Sequence, residues 1–293
     1  MDNLRAVWAG WSDAPLSNHG MNQARAMGEY FTQTNTKFTA IHASTLKRAF
    51  STAQALYDAQ PEPKPTFSKS LLLREQHFGI AEGRPWTFTG EEDLTLEQQF
   101  ARGIFPVLKG NAAKFPEGES LDDLADRAEK AINELVLPHI RTAALEGHKN
   151  VHIALVSHGL CISKLIERLL VKDSEDPQSG DFRGLLNTAW TRLEVEVRGQ
   201  KEGEKMQLAE GEVPPLAVRC TLVNQHSHIN AVKRQQGGIG SSAYDPKQKK
   251  IQDFFGGKTS SSNTEAEETV ALPVSESNAH DEVGEGKPTT SQL

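Results

Sequence analysis

The stretch Val151-His-Ile-Ala-Leu-Val156, followed by Ser157-His158-Gly159, decides the fold. A strand with one wet face alternates apolar and polar residues. A nearly unbroken apolar run belongs to a strand covered on both faces, as in a parallel sheet. After the Ser-His-Gly turn, Leu160, Leu165, Ile166 and Leu169 recur at helical spacing. Strand, tight turn and helix form the repeating half of an α/β domain.

The same grammar recurs along the chain. Residues 38–43 read as a short buried strand ending at Ser44, with a helix following through Leu46, Ala49, Ala53 and Leu56. Ser17 caps an earlier helix whose apolar face is Met21, Ala24, Gly28 and Phe31. Ser120 with Asp123 is a capping-box pattern. It opens a helix carrying Leu121, Leu124, Ala128, Ile132 and Leu135, which Pro138 ends or kinks. Residues 189–197 and 216–224 alternate with period two and are joined by a polar stretch, the pattern of an antiparallel hairpin at the sheet edge. The expected fold is α/β, a three-layer αβα domain with a mostly parallel sheet and an edge hairpin.

Composition removes several function classes. The 293 residues carry 32 Lys and Arg against 39 Asp and Glu, a net charge of −7. That excludes a globally basic nucleic-acid binder. Two cysteines, Cys161 and Cys220, exclude a disulfide scaffold and a cysteine-rich zinc site. No apolar run approaches the ~20 residues of a membrane span, and residues 1–13 lack a signal-peptide pattern. The expectation is a soluble, cytoplasmic protein without a cofactor. No metal is expected either: His226 and His228 have no evident third ligand.

Chemistry-bearing residues gather at inferred strand ends, where open α/β sheets bind ligands. His158 directly follows the strand at 151–156, and Gly159 leaves room beside it. Arg48 opens the helix after the strand ending at Ser44, where free N–H groups also favour an anion. Glu75 lies in Leu71-Leu-Leu-Arg-Glu75-Gln-His-Phe-Gly79, an apolar run turning polar. A guanidinium, an imidazole and a carboxyl group suit phosphoryl transfer: the cation neutralises oxygens and the acid protonates a leaving oxygen.

Taken together these motifs resemble the histidine phosphatase (phosphoglycerate mutase-like) superfamily. The matching text is Trp11-Ser-Asp-Ala-Pro-Leu-Ser-Asn-His-Gly20 with Gln23-Ala24, Ser44-Thr-Leu-Lys-Arg48-Ala with Thr52-Ala53, and Leu73-Arg-Glu75-Gln-His-Phe-Gly79 with Glu82-Gly83. Pro116-Glu-Gly-Glu-Ser120 and Ser157-His158-Gly159 complete it. The resemblance covers roughly residues 2–232. It implies phosphate binding by Arg48 and His158, with Asn3 at the matching phosphate-side position. It implies Glu75 as proton donor, a phosphohistidine intermediate and a small phosphorylated substrate. It also implies a nucleophile in an Arg-His-Gly motif on a central first strand beside the strand ending at His158. No Arg-His-Gly occurs among the 293 residues; Asn18-His19-Gly20 belongs to the following motif. The chain as written is therefore expected to lack phosphohistidine chemistry and to leave unpaired strand edges. A start at an internal Met fits this better than a degenerate paralogue, because Arg48, Glu75 and His158 are all intact. The mutases of the family carry an Arg-Arg-Ser-Tyr stretch and a proline run; residues 86–115 show neither, which favours a phosphatase. Arg84, Arg102 and Lys109 in that segment read as a solvated loop.

The remaining chain differs in kind. Residues 256–293 hold seven acids and two bases, rich in Ser, Thr and Gly. Such a segment buries too little apolar surface to offset its ordering entropy. The expected division is a domain at 1–232 and a disordered acidic tail at 233–293. Within the tail, Gln248, Ile251, Phe254 and Phe255 match Q-x-x-I-x-x-F-F at 248–255. This resembles the PIP box, which docks on the DNA sliding clamp (proliferating cell nuclear antigen) as a short apolar plug. A non-catalytic adaptor that binds the clamp is thus the alternative function, and it would bring the protein to the nucleus.

Overall fold

The computed structural model describes residues 6–201, 203–236 and 238–245. Asn3 and the 248–255 motif lie outside the described residues. One compact unit spans Met1–Pro246.

Among the described residues the central sheet has three parallel strands. β1 (Ala40–Ser44) lies between β2 (Thr66–Ser70) and β5 (Ile153–Val156). Ala40 stands opposite Thr66 on one side and Ile153 on the other, so the three strands run in step. All five residues of β1 are buried, as a middle strand requires.

Helices cover both faces. On one face lie α1 (Asn18–Gln33), capped by Ser17 Oγ accepting from Gly20 N, and α2 (Lys47–Asp58). Met27 and Phe31 of α1 and Ala53 and Leu56 of α2 close over Ile41 and Ala43. On the other face lie α4 (Leu121–Leu135) and α6 (Gly159–Leu170), with α5 (Leu137–Glu146) continuing from α4. Leu124, Ala128, Ala131 and Ile132 of α4 pack with Cys161, Leu165, Ile166 and Leu170 of α6. Ser120 and Asp123 form the expected reciprocal capping box. Pro138 falls in the first turn of α5, where its missing N–H costs nothing.

The segment expected as a solvated loop is partly ordered. β3 (Trp86–Thr87) pairs in parallel with β4 (Phe105–Pro106), with α3 (Leu96–Ala101) between them. Phe78, Ala81, Phe105 and Phe115 build a small core there, with Trp8 packed against it. Arg102 is exposed and meets Glu91 at 3.5 Å.

β6 (Trp190–Val197) and β7 (Leu216–Gln225) form the expected antiparallel hairpin, with register shifts between Trp190 and Leu193. Among the described residues it makes a two-stranded sheet of its own and does not join the ladder of β5. Side chains hold it instead. The Trp190 ring packs 5.4 Å from Phe31, while Leu193, Val195 and Val197 pack against the α4–α6 core. A cavity of about 1260 Å³ is lined continuously by residues 151–159 and 185–197. It leaves all four residues of β5 half-buried, although their apolar run reads as a fully covered strand.

The compact unit also reaches past residue 232. Residues 238–245, expected in the tail, dock on the start of α1. Ser17 and Ala243 form an antiparallel bridge, Tyr244 N donates to Leu16 O, and Arg25 lies 5.4 Å from the Tyr244 ring centre. A single aromatic ring and a few main-chain bonds order a stretch whose composition suggests none.

Candidate active site

Three parallel strands deliver three side chains to one end of the sheet. Arg48 is in the first turn of α2, after β1. His158 follows β5 and is the N-cap of α6. Glu75 follows β2 and the 3₁₀ turn Leu71–Leu73. All three line the same cavity, together with Gly10, His19, Gln23 and Gly159.

Arg48 and His158 are in contact. Arg48 Nε donates to His158 Nδ1 at 3.2 Å, so that nitrogen carries no proton. The proton of a neutral ring then sits on Nε2, which lies 2.9 Å from Ser44 Oγ. Burial, then Arg48 and Arg127, push the imidazole down to about 3. His158 is therefore neutral at pH 7. The two remaining nitrogens of Arg48 donate to Ser12 O (2.7 Å) and Gly10 O (2.8 Å), which aims the guanidinium along the 10–12 loop.

Glu75 sits against the start of α6. Its Oε2 accepts from Leu160 N (3.2 Å), and its Oε1 from Cys161 N (3.1 Å) and Gln76 N (2.9 Å). The free amides of a helix start are the natural partner of a carboxylate. Burial nonetheless outweighs them and raises the carboxyl above its ordinary value, with Arg48 pulling the other way. An acid held protonated closer to neutral pH is what proton donation to a leaving group requires.

The surrounding loop is tightly specified. Gly10 has φ +44°, and a Cβ there would stand 2.2 Å from Glu82 Oε1. That oxygen accepts from Trp11 N at 2.7 Å and from Phe78 N at 3.2 Å, joining the 10–12 loop to the segment after Glu75. Asp13 Oδ1 accepts from Lys47 N at 2.7 Å and so caps α2 just before Arg48. Trp11 Nε1 donates to Glu75 O, and its ring lies between Arg74 and His77.

Several of these contacts escape a reading of the sequence. Ser44 stands beside a strand end but nothing local marks it as the partner of His158. The role of Glu82 is equally hidden, and so is that of Arg127, whose guanidinium donates to the carbonyls of Leu72, Arg74 and Glu75 and forks onto the Glu119 carboxylate. For Arg127 there is a signal: it lies three residues after Leu124, a charge set on the apolar stripe of α4. His226 Nδ1 meets Asn224 O at 2.8 Å, a local bond, while His228 Nε2 meets Thr188 Oγ1 at 3.2 Å, across 40 residues of chain. No helix among the described residues is long and apolar enough to cross a membrane.

Comparison with known proteins agrees with this arrangement of motifs. Residues 1–204 match the model of the histidine phosphatase superfamily (branch 1). A 2,3-bisphosphoglycerate-dependent phosphoglycerate mutase of Buchnera aphidicola is 29% identical over 181 residues, covering 55% of this chain and 76% of that protein. The corresponding mutase 2 of Gloeobacter violaceus is 31% identical over 171 residues, covering 57% and 69%. Among solved structures, the native mycobacterial glucosyl-3-phosphoglycerate phosphatase superposes with a TM-score of 0.51 at 22% identity. It covers 75% of this chain and 92% of that one, a likeness of fold. The fold is the phosphoglycerate mutase-like three-layer αβα arrangement, and the chain belongs to the histidine phosphatase superfamily, branch 1.

Proposed function

We propose that this chain is the phosphate-binding body of a phosphomonoesterase that acts on a small phosphorylated substrate. The observation that carries the reading is the meeting of Arg48, His158 and Glu75 in one cavity at the carboxyl ends of β1, β5 and β2. The phosphoryl oxygens bind between the Arg48 guanidinium and the His158 ring, replacing the bond that now joins them; Ser44 Oγ then donates to Nε2, so that Nδ1 carries the ring proton and donates to an oxygen. Glu75 donates its proton to the departing oxygen as the phosphorus–oxygen bond breaks, then accepts one from the water that releases phosphate. Asn3, by its position in the motif, adds a phosphate contact.

The covalent step needs an imidazole nucleophile in an Arg-His-Gly setting, and the 293 residues contain no such motif. The chain on its own therefore binds phosphate without turnover. A form carrying Arg-His-Gly ahead of Asn3 is the active one. Absence of the long Arg-rich and proline-rich insertion in residues 86–115 favours hydrolysis over mutase chemistry. The test uses para-nitrophenyl phosphate and orthovanadate with both forms. Vanadate binding by both, with turnover only in the Arg-His-Gly form, supports the reading. Turnover by the chain alone refutes the missing nucleophile, and no vanadate binding by either form refutes the site.

A second reading concerns the tail. Gln248, Ile251, Phe254 and Phe255 hold the four anchor positions of a clamp-docking peptide, with Lys247, Lys249 and Lys250 beside them to steer toward an acidic surface. An adaptor working in the nucleus through this segment would need no turnover. Titrating a peptide of residues 244–258 against the sliding clamp tests it; equal binding after Phe254→Ala and Phe255→Ala sinks it.

A further inference from the structure

The run that carries Glu75 has no strand and no helix beyond the turn Leu71–Leu73. Its position must come from elsewhere, and one half-buried ion pair grips much of its main chain. Arg127 Nη1 donates to Leu72 O (2.9 Å) and Arg74 O (2.7 Å), and Nη2 donates to Glu75 O (2.9 Å). The same guanidinium forks onto Glu119, with Nε to Oε1 and Nη2 to Oε2 at 2.8 Å each. Glu119 completes the clamp. Its Oε2 accepts from His77 N (3.0 Å), its carbonyl from Gln76 Nε2 (2.7 Å), and its own N–H donates to His77 O (2.7 Å). Leu72, Arg74, Glu75 and His77 are thus fastened through their main chain to two side chains, only 12% and 20% exposed, and Gln76 reaches the Glu119 carbonyl with its own side chain.

A half-buried pair of this kind adds little over a pair of apolar residues replacing both partners together, because taking both charges from water offsets their attraction. Removing one partner alone is different: a methionine at position 127 leaves the Glu119 carboxylate without its counter-charge. Nor could a methionine hold three carbonyls in fixed places.

We propose that Arg127, paired with Glu119, is a positioning residue for the carboxyl of Glu75. By fixing the backbone from 72 to 77, the pair keeps that carboxyl on the first amides of α6 and facing Arg48. The inference rests on the reading of Glu75 as proton donor, but its test does not depend on turnover.

The experiment follows the amides of Leu160 and Cys161 and the carboxyl carbon of Glu75 by NMR across pH. In the unaltered chain both amide shifts follow the Glu75 titration with one midpoint. In Arg127→Met, hydrogen exchange at these two amides rises at least tenfold more than at amides in β1, which report any global loss of stability, and their shifts cease to follow Glu75. Arg127→Lys behaves like Arg127→Met, since one ammonium cannot reach three carbonyls and a carboxylate. Glu119→Gln keeps the volume and gives a milder form of the same loss, which covers the case of a poorly folding Arg127 variant. Coupling that survives in Arg127→Met and Glu119→Gln overturns the proposal. Full phosphatase activity of Glu75→Gln in the Arg-His-Gly form would instead overturn the proton-donor reading and leave the NMR result standing.

Discussion

Replacing His158 with glutamine should flatten the dependence of stability on pH. Glutamine retains polar atoms beside Ser44 and Arg48 but does not titrate. In the folded chain the imidazole is held down to about 3 from an ordinary 6.5, because burial and then Arg48 and Arg127 oppose its positive charge. The unfolded chain binds a proton at the ordinary value. Between those two values the unfolded state holds one more proton than the folded state, so stability falls as pH falls. The gap corresponds to about 5 kcal/mol at ~1.36 kcal/mol per pH unit. The loss begins near pH 6.5 and is complete near pH 3. Glu75 contributes with the opposite sign, since its carboxyl is raised; it is present in both proteins and drops out of their difference. The assay is urea unfolding of the chain and of His158→Gln at pH 7, 6, 5 and 4, in buffers free of phosphate. The stability difference between the two proteins should shift by about 1.4 kcal/mol per pH unit below pH 6. Parallel pH curves would refute the argument, for they would mean that the folded imidazole titrates freely.

Other outcomes follow from the same contacts. Arg48→Met removes the cation that opposes protonation of His158 and favours ionisation of Glu75, so both groups should titrate higher by NMR, and vanadate affinity should drop at least 30-fold, about 2 kcal/mol. Glu75→Gln sets its –NH2 against an amide that the carboxylate now accepts from, at either pH; its effect on stability should still be more favourable at pH 7 than at pH 4, because a raised carboxyl costs stability only once it ionises, and urea midpoints at the two values check the sign. Gly10→Ala forces a Cβ onto Glu82 at positive φ and should cost about 1–2 kcal/mol, seen as a lower urea midpoint. Thiol titration of the native chain should label Cys220 and spare Cys161, which is fully buried and pushed up to about 12. Equal labelling of both would contradict that burial.

Much of the fold is legible in the residues because local rules and tertiary packing agree. Ser17, Ser120 and Asp123 cap the helices they announce, and Pro138 separates α4 from α5 as its chemistry demands. The apolar stripe of α4 is the surface that meets α6. Disagreement arises where long-range contacts overrule composition. Residues 86–115 look like loop, yet Phe105 and Phe115 find Phe78 and Ala81 and fold it. Residues 238–245 look like tail, yet Tyr244 finds the start of α1.

The sequence by itself determined the αβα class, the strands β1, β5, β6 and β7 with the helices α1, α2, α4 and α6, and the residue types at the carboxyl ends of β1 and β5. These follow from periodicity, capping and turn chemistry, which act over a few residues. β2, and the 3₁₀ turn where the apolar run at 71–73 suggests a strand end, came from the structure. Only the tertiary structure decided that Arg48 lies on His158, that Ser44 takes the other ring nitrogen, and that Arg127 and Glu119 grip the run carrying Glu75. It also decided that the hairpin stands apart from the ladder of β5 across a cavity. Such contacts join residues as much as 114 apart in the chain, and nothing in local spacing encodes which buried charge will meet which carbonyl. That pairing is set by where the helices and strands come to rest, because each buried polar group must find its partner there.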